Sequence, residues 1–527
     1  MKQVRVVEAD ICIIGSGISA AMVAAHLAQN PRRRIVVVEA GAEQPPPGQF
    51  AALRRRYLDY GESPWPNDHI DGLSAAGMQS RSMCVGGLAM HWGGVTPRFS
   101  PEDFRTRSMF GVGTDWPITY DDLDPAYQAA EELMGIAGEQ GPVALDPRGK
   151  PFPLPMIPLS YNLERLKAWA SGAGIATWSQ PSAKLTVAQG ARGACCRNDT
   201  CFPICPVGAK YSPDMTWRSL QAAGRVELHP LTLVRRLRLA AQGNRIEAAE
   251  AVRQGGGDVR IEFRARTFVV ATGYLWSSWL LLVSANSRFS AGLANGSGLV
   301  GKYITGHRNV QAFVSLPLKQ YPGINEQHSL VTKQFMRKPL VDRYMRHDLR
   351  IWESSVGREA RLADDAGTLL LGDEVLRDWR QRTAESTARV RSYYDVVPDR
   401  DSALTLDSAR RTPWGDPAPV LTLRDDPVSQ ELRGPTEARI REVFDELARA
   451  GNGRILRTNA DPFQDHPGGG CRMGNDPSTS VVDSYGRTHD HENLFVVGAP
   501  TMVSSSCANG TLTMCALALR SAAEIGK

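Results

Sequence analysis

The first forty residues constrain the fold most, because they place two apolar runs, a glycine turn and an acidic residue in a fixed order. Residues 9–14 are typical of a buried strand, and they lead into Gly15-Ser-Gly17-Ile-Ser-Ala20, an apolar helix and a second strand that ends at Glu39. In a dinucleotide-binding unit of this order, the glycines let the backbone approach a pyrophosphate and the acid binds ribose hydroxyls. The pattern predicts an α/β fold with a parallel sheet flanked by helices, and nucleotide contacts at Gly15, Gly17, Ala20 and Glu39.

A second strand of the same kind lies much later in the chain. Residues 266–273 end in Ala-Thr-Gly and precede an apolar helix at residues 275–284. The N-terminal unit alone does not separate FAD from NAD, but flavoproteins that return to the FAD domain late in the chain show this arrangement. The order of the two segments therefore favours a flavoprotein.

A glycine-rich segment at residues 83–99 contains Gly86, Gly87, His91 and Trp92. Four glycines and an aromatic residue in so short a span indicate backbone that wraps closely around a flat ligand. The alternative is a tight turn with a packed Trp92. His91 is a candidate either for a covalent link to the flavin or for a non-covalent contact.

Two polar segments near the C-terminus contain residue types that can catalyse proton transfer. His466 lies at the edge of a predicted glycine-rich loop. Asn509 lies in a predicted turn between a buried strand at residues 494–497 and a helix that begins near Thr511. A base, an amide and a positive helix end can meet at one oxyanion or at one reduced ring. The alternative is a surface histidine and an asparagine that only caps the helix.

The nine cysteines are unevenly spread, and four of them lie between residues 195 and 205. Such clustering favours a metal site over a disulfide scaffold. Cys201 and Cys205, with the proline that follows, resemble the end of a ferredoxin-type ligand run. Adjacent cysteines tend to point in opposite directions, so we expect only one of Cys195 and Cys196 to be a ligand. Three ligands suit a [3Fe–4S] cluster and four suit [4Fe–4S] or zinc, and a disulfide pair is a further alternative. The remaining cysteines are typical of small core residues: Cys12, Cys84, Cys471, Cys507 and Cys515.

The length of 527 residues is too great for one compact core, so two or more domains are expected. Alternating apolar and polar residues at 311–316 and 403–406 predict antiparallel strands, which would form one wall of a second domain. The net charge of +5, without a dense basic run, argues against nucleic acid as a partner. Charges within residues 1–9 argue against a secretory signal, and no apolar run is long enough to span a bilayer.

Several motifs that occur in order along the chain resemble the glucose–methanol–choline (GMC) oxidoreductases. The similarity runs from about residue 9 to the C-terminus and is greatest to the FAD-dependent sugar dehydrogenase catalytic subunits, whereas residues 335–390 match nothing that we can place. The motifs are the glycine turn with Glu39, the Gly86-Gly87-x-x-x-His91-Trp92 segment, Asp115-Trp-Pro-Ile118 with Tyr120-Asp-Asp-Leu-Asp-Pro125, and the segments around His466 and Asn509.

The resemblance implies a discontinuous, Rossmann-like FAD-binding domain and a substrate-binding domain built on an antiparallel sheet. The first would comprise residues 1–110, 214–310 and 455–527, and the second residues 111–213 and 311–454, with the cysteine loop at 195–206. FAD is the implied cofactor. Its further contacts would be Gly86, Gly87, His91, Trp92, Gly498, Asn509 and Thr511.

The resemblance further implies a dehydrogenase that oxidises a hydroxyl of a sugar or glycoside by hydride transfer to flavin N5. His466 would be the general base, and Asn509 would orient the substrate oxygen. A [3Fe–4S] cluster would pass the electrons to a partner. Its ligands would be Cys195, Cys201 and Cys205, with Cys196 spare. Asp465 stands where some relatives carry an amide, which puts the sugar preference in question.

The resembling subunits work with a small accessory subunit and often with a cytochrome c subunit, in the periplasm or at the periplasmic face of the inner membrane. This chain is expected there with a partner that carries an export signal, and in the cytoplasm if it works alone. Two other functions stay open. One is a stand-alone flavin sugar oxidase that uses oxygen, with zinc or a vestigial cysteine loop. The other is a flavin electron-transfer subunit without a substrate of its own.

Overall fold

The computed structural model describes residues 4–65, 70–72, 79–198, 200–254, 259–321, 328–337, 343–354, 360–364, 366–384 and 386–527. The strands, in chain order, are β1 (Arg5–Ile14), β2 (Ile35–Val38), β3 (Ile70–Gly72), β4 (Gln79–Ser82), β5 (Ala137–Gly138), β6 (Leu154–Pro155), β7 (Trp178–Ser179), β8 (Glu227–His229), β9 (Thr232–Leu239), β10 (Ile246–Arg253), β11 (Val259–Val270), β12 (Lys302–Leu316), β13 (Leu330–Thr332), β14 (Leu349–Ser354), β15 (Ser386–Tyr394), β16 (Ala403–Arg411), β17 (Pro417–Thr422), β18 (Arg454–Gly470) and β19 (Leu494–Val496). The α-helices are α1 (Ile18–Leu27), α2 (Phe50–Tyr60), α3 (Thr106–Phe110), α4 (Tyr120–Met134), α5 (Tyr161–Gly172), α6 (Pro213–Ala222), α7 (Gly273–Val283), α8 (Asp373–Ala384), α9 (Pro427–Ala450) and α10 (Thr511–Ile525).

The first large sheet contains the predicted nucleotide-binding strands. Its parallel part has the order β8-β2-β1-β11-β19, and β9 and β10 extend it with an antiparallel pair along the first half of β11. The apolar run Ile35–Val38 is buried along its whole length, as expected for a strand covered on both faces. Helix α10 packs against α1 and α4. The predicted α/β architecture with a parallel, helix-flanked sheet is confirmed.

The second large sheet is antiparallel and has the order β18-β12-β15-β14-β13-β7. Helices α5 and α9 cover it, and their apolar side chains share one buried cluster with those of the sheet. The predicted strand at 311–316 lies in β12, as expected. The predicted strand at 403–406 instead belongs to the separate β16–β17 hairpin, which packs on α7. The hairpin forms a separate two-stranded sheet, and Leu404 N donates a hydrogen bond to the Gly301 carbonyl oxygen (2.8 Å) just before β12.

The structure corrects one local prediction. Residues 465–470 are the end of β18, not a loop, and Lys302 pairs with Gly470 across the sheet. The glycines are needed because the two backbones approach closely: a Cβ on Gly469, whose φ is +83°, would lie 2.1 Å from the Tyr303 carbonyl oxygen. The proposed domain boundaries at residues 310 and 454 fall within β12 and at the start of β18, and the division into domains stays a prediction.

Within the described part of the chain, no helix has the length and apolar character that a membrane crossing requires.

Candidate active site

A cavity of about 640 Å³ opens where the carboxyl ends of β1, β2 and β11 meet the end of β18. Ligands commonly bind at the carboxyl ends of the strands in an open parallel sheet. The glycine turn, Glu39, Trp92, Ala271, His466 and Thr511 all contribute to its walls. The same cavity therefore joins the predicted nucleotide site to the predicted base.

The glycine turn is shaped by close backbone approach. Gly15 has a φ of +94°, and a Cβ there would lie 2.7 Å from the Ala271 carbonyl oxygen. Helix α1 begins after Gly17 without a side-chain cap, so its first N–H groups stay available to a pyrophosphate. Glu39 is buried at the end of β2, where its carboxylate accepts hydrogen bonds from Ser16 N (3.0 Å), Ser16 Oγ (2.6 Å) and Gly41 N (2.7 Å).

The cavity contacts only some of the predicted cofactor residues. Those that line it are Gly15, Gly17, Glu39, Gly87, Trp92 and Thr511. The others do not line it, and they are Ala20, Gly86, His91, Gly498 and Asn509. Ala20 is buried in α1, and Gly86 N donates to Ser16 Oγ (3.1 Å). A Cβ on Gly498 would lie 2.2 Å from Ser19 Oγ, so this glycine lets the last βα turn pack on α1.

The tryptophan of the glycine-rich segment lines the cavity, whereas its histidine does not. Trp92 lines the cavity and donates from its indole Nε1 to the Tyr211 carbonyl oxygen at 2.8 Å. His91 is half-buried at the end of a 3-10 turn over Gly87–Met90. The contact that we predicted between His91 and the flavin stays a prediction.

His466 and Asn509 lie together, as their residue types suggested. Asn509 Nδ2 lies 2.6 Å from His466 Nε2. The histidine lines the cavity and its side chain is 27% exposed, so substrate can reach it. Asn509 is buried, and its amide oxygen has no hydrogen-bond partner among the described residues. A base that lines the cavity is therefore in contact with a buried amide that has a spare acceptor.

Burial tunes the base. It lowers the pKa of His466, and Asp465, which acts in the opposite direction, does not offset it. Burial would raise the pKa of Asp465, but His466, His307 and the hydrogen bond from the Tyr393 hydroxyl (3.0 Å) outweigh it and hold that pKa below its usual range. At neutral pH the site therefore contains an uncharged imidazole beside a carboxylate.

Two residues of this pocket were not predicted. His307 is fully buried in β12, and its Nε2 lies 2.8 Å from His466 Nδ1. Tyr393 in β15 packs on His307, with ring centroids 4.1 Å apart. A signal existed in the sequence, because a Thr-Gly-His-Arg-Asn run interrupts the alternation of a strand that is otherwise apolar and buried. A polar run inside a core strand must find partners, and only the strand pairing shows which.

The four cysteines of the cysteine loop (residues 195–206) differ in burial. Cys201 and Cys205 are buried, Cys195 is half-buried and Cys196 is exposed. Burial raises the pKa of Cys195, and the nearby thiols of Cys201 and Cys205 act in the same direction. Among the residues that the structure describes, however, no three His, Cys, Asp or Glu side chains are arranged to hold a metal ion.

A buried lysine connects this loop to the cavity. Lys210 Nζ donates to the carbonyl oxygens of Pro203 (3.2 Å) in the cysteine loop and of Trp92 (2.8 Å) beside the cavity. Burial lowers the pKa of Lys210 to about 8, and Cys201 and Cys205 oppose that shift. The remaining cysteines are buried core residues, as predicted.

Comparisons with known proteins agree with this site. The GMC oxidoreductase family model matches residues 398–518. The chain is 31% identical to the fructose dehydrogenase large subunit of Gluconobacter japonicus, over 98% of this chain and 97% of that protein. It is 28% identical to the 6'''-hydroxyparomomycin C oxidase of Streptomyces lividus, over 98% and 91% of the two chains.

One solved structure, pyridoxine 4-oxidase from Mesorbium loti, shows the same fold. It superposes with a TM-score of 0.63 at 19% identity and covers 98% of this chain and 99% of its own. Together with the family model, its relatives show that the chain is an FAD-dependent oxidoreductase that acts on CH–OH groups of sugars and alcohols. The chain belongs to the GMC oxidoreductase family.

Proposed function

We propose that this enzyme oxidises a hydroxyl group of a sugar or glycoside, with His466 as the general base. The observation that carries the proposal is the pair of His466 Nε2 and Asn509 Nδ2, 2.6 Å apart beside the cavity. The relatives named for fructose and for an aminoglycoside support a sugar hydroxyl. Oxidation of an alcohol needs a group that removes the hydroxyl proton and a group that holds the oxygen in line.

Two side chains would remove the hydroxyl proton and orient the substrate oxygen. His466 Nε2 accepts the hydroxyl proton, and the amide of Asn509 binds the same oxygen and orients it. Bound FAD supplies the hydride acceptor for the carbon. The imidazolium that results is stabilised by Asp465, whose Oδ2 lies 3.6 Å from His466 Nδ1.

The N-terminus of α10 adds a fixed positive charge. This helix begins at Thr511, spans fifteen residues and has no side-chain cap at Gly510. Because Thr511 lines the cavity, the partial positive charge of the helix end faces the ligand. It favours negative charge there, on a reduced flavin ring or on a phosphate.

A [3Fe–4S] cluster on Cys195, Cys201 and Cys205 is part of the proposal. Cysteine thiolates are the usual ligands of such clusters, and these three cysteines lie on one loop, in which Cys201 and Cys205 are buried and Cys195 is half-buried. Holding the cluster would require these thiols to move together into ligand distance. The cluster would supply one-electron transfer from the flavin site to an acceptor, with Cys196 outside the ligand set.

The acceptor side of the proposal includes other subunits. A relative named as a large subunit supports a small accessory subunit for this chain, and a cytochrome c-type protein would receive the electrons. We place such an assembly in the periplasm or at the periplasmic face of the inner membrane. A chain that works alone would be cytoplasmic.

A stand-alone oxidase that uses oxygen is the second candidate. It is supported by two relatives that are named as oxidases. In that case the cysteine loop would be structural.

The first experiment is a spectroscopic one on anaerobically purified protein. Absorbance and EPR spectra, with iron and sulfide assays, are recorded before and after addition of D-fructose, D-glucose, methyl β-D-glucoside or paromamine, with 2-methyl-1,2-propanediol as the non-sugar alcohol. We expect flavin bands, about three irons per chain and bleaching by at least one sugar. Bleaching without iron would favour the oxidase, and rapid oxygen consumption with sugar would confirm it. Flavin that no compound in the panel bleaches would overturn the proposal.

A further inference from the structure

His307 is fully buried and contacts the base, but it does not line the cavity. Its ring connects His466 to the turn that carries Asn509. His307 Nδ1 lies 2.9 Å from the carbonyl oxygen of Ser506, and His307 Nε2 lies 2.8 Å from His466 Nδ1. The hydrogen-bonded chain then continues from His466 Nε2 to Asn509 Nδ2.

The carbonyl of Ser506 determines which ring nitrogens of His307 and His466 carry protons. A carbonyl oxygen only accepts, so the hydrogen bond to Ser506 requires a proton on His307 Nδ1. Burial and the neighbouring His466 lower the pKa of His307 well below its ordinary value, so its ring is neutral and carries only that proton. His307 Nε2 is then an acceptor, and His466 must donate to it from Nδ1. A neutral His466 with this proton has an unprotonated Nε2.

The other tautomer of His466 has no comparable set of partners. Its unprotonated Nδ1 would face the unprotonated Nε2 of His307 at 2.8 Å, so lone pair would oppose lone pair. Rotation of the Asn509 amide, whose oxygen has no partner among the described residues, would satisfy the Nε2–H but would not relieve this repulsion. Tyr393 holds the rings in this relation, because it packs on His307 and lies edge-on to His466 with centroids 5.4 Å apart.

We propose that His307 is a positioning residue that holds His466 in the tautomer with an unprotonated Nε2, and that the Ser506 carbonyl sets this choice. The inference rests on the proposed role of His466 as the base. Asp465 acts differently, because its Oδ2 is 3.6 Å from His466 Nδ1, beyond hydrogen-bond distance. Asp465, Arg350 and Arg391 influence the charge of His466, not the position of its proton.

The direct test is the tautomer itself, measured by ¹⁵N NMR of the holoenzyme with [¹⁵N]histidine. The His466 signals are identified by their loss in His466→Gln. His307→Phe keeps an aromatic ring against Tyr393 but removes the acceptor, whereas His307→Gln keeps an acceptor oxygen. We expect the proton on His466 Nδ1 in the wild type and in His307→Gln, and on Nε2 or on both nitrogens in His307→Phe. Flavin absorbance reports whether each variant is folded.

A kinetic test separates positioning from general stability. With the panel sugar that bleaches the flavin fastest, His307→Phe should slow anaerobic flavin reduction by about 100-fold at saturation, with KM changed by less than about threefold. His307→Gln should recover at least about tenfold of that loss. The control is His328→Gln, a buried histidine that contacts Ser179 beside β13, and it should leave the rate unchanged.

The outcomes are distinguishable. A wild-type spectrum with the proton on His466 Nε2 overturns the inference without any variant, and so does a His307→Phe variant that keeps the proton on Nδ1. If the tautomer changes while flavin reduction keeps its rate, the positioning role stands and the proposed base role of His466 fails.

Discussion

The base pocket (His307, Tyr393, Asp465, His466 and Asn509) and the cysteine loop (residues 195–206) are built in opposite ways. Residues of the base pocket come from β12, β15, β18 and the turn before α10, and the two histidines in contact are 159 positions apart. The cysteine loop keeps its candidate ligands in one short segment. Hydrogen bonds already join the members of the base pocket, whereas the described thiols are not arranged as a metal site.

The base pocket and the cysteine loop differ in the interaction that brings their residues together. Strand pairing brings the residues of the base pocket together. Thiolate ligands close to one another repel, and they come together when a metal replaces their protons. The spacing of cysteines in the sequence can therefore reveal a candidate cluster loop whose ligand geometry forms only when the metal binds. A pocket built from distant strands is recognised only in the folded structure.

The largest effect is expected from removal of the base. His466→Ala should slow sugar-dependent flavin reduction by roughly 10²–10⁴-fold, because no other neutral imidazole lines the described part of the cavity. The measurement is anaerobic stopped-flow absorbance of the holoenzyme. FAD should stay bound, and His489→Ala, which removes a histidine that contacts Ser480, is the matched control. Loss of FAD from His466→Ala alone would make this residue structural.

The next effect concerns the cysteine loop. Cys201→Ser should reduce iron from about three atoms per chain to less than about one, because the buried Cys201 is a proposed ligand. Cys196→Ser should keep the iron, since this thiol is exposed and accepts a hydrogen bond from the side chain of Asn198. Iron assays and EPR spectra make the measurement. Equal iron contents in the two variants would show that Cys201 is not a cluster ligand and would favour a structural role for the loop.

A fall in pH should affect flavin reduction at the base pocket and iron binding at the cysteine loop differently. The neutral form of His466 is the base, and burial lowers its pKa below the ordinary 6.5, so flavin reduction should hold its rate as the pH falls through 6.5 and should decline only below the lowered pKa, by about tenfold per pH unit. Burial raises the pKa of the Cys195 thiol above its ordinary 9.0, and iron must displace this proton, so iron binding should weaken steadily as the pH falls below 9. The checks are pH profiles of flavin reduction and of iron reconstitution. Parallel profiles would contradict the comparison.

The smallest effect is expected from Tyr393→Phe. This change removes the hydroxyl donor to Asp465 and leaves the ring that packs on His307. Because a hydrogen bond to a charged group contributes about 1.5–3 kcal/mol and Asp465 is half-exposed, we expect flavin reduction to change by less than about tenfold. Stopped-flow absorbance measures the rate. A loss as large as that of His466→Ala would show that the hydroxyl takes part in the base pocket itself.

Much of the nucleotide-binding half follows from short segments of sequence. The glycine turn, the acid at the end of β2 and the strand at β19 were predicted correctly because each depends on residues close in the chain. The loop predicted at 465–470 was wrong, since glycine signals close backbone approach in a strand as well as a turn, and local sequence does not separate the two.

The sequence by itself determined the parallel sheet, the position of Glu39 and the residue types of the base, because side-chain alternation and glycine geometry act over a few residues. Only the tertiary structure decided which groups surround His466. His307 and Tyr393 reach it because β12 pairs with β15 on one side and with β18 on the other. The position of the proton on His307 depends on the backbone carbonyl of Ser506. Every residue has a backbone carbonyl, so the sequence does not show which one contacts His307, and only the fold does.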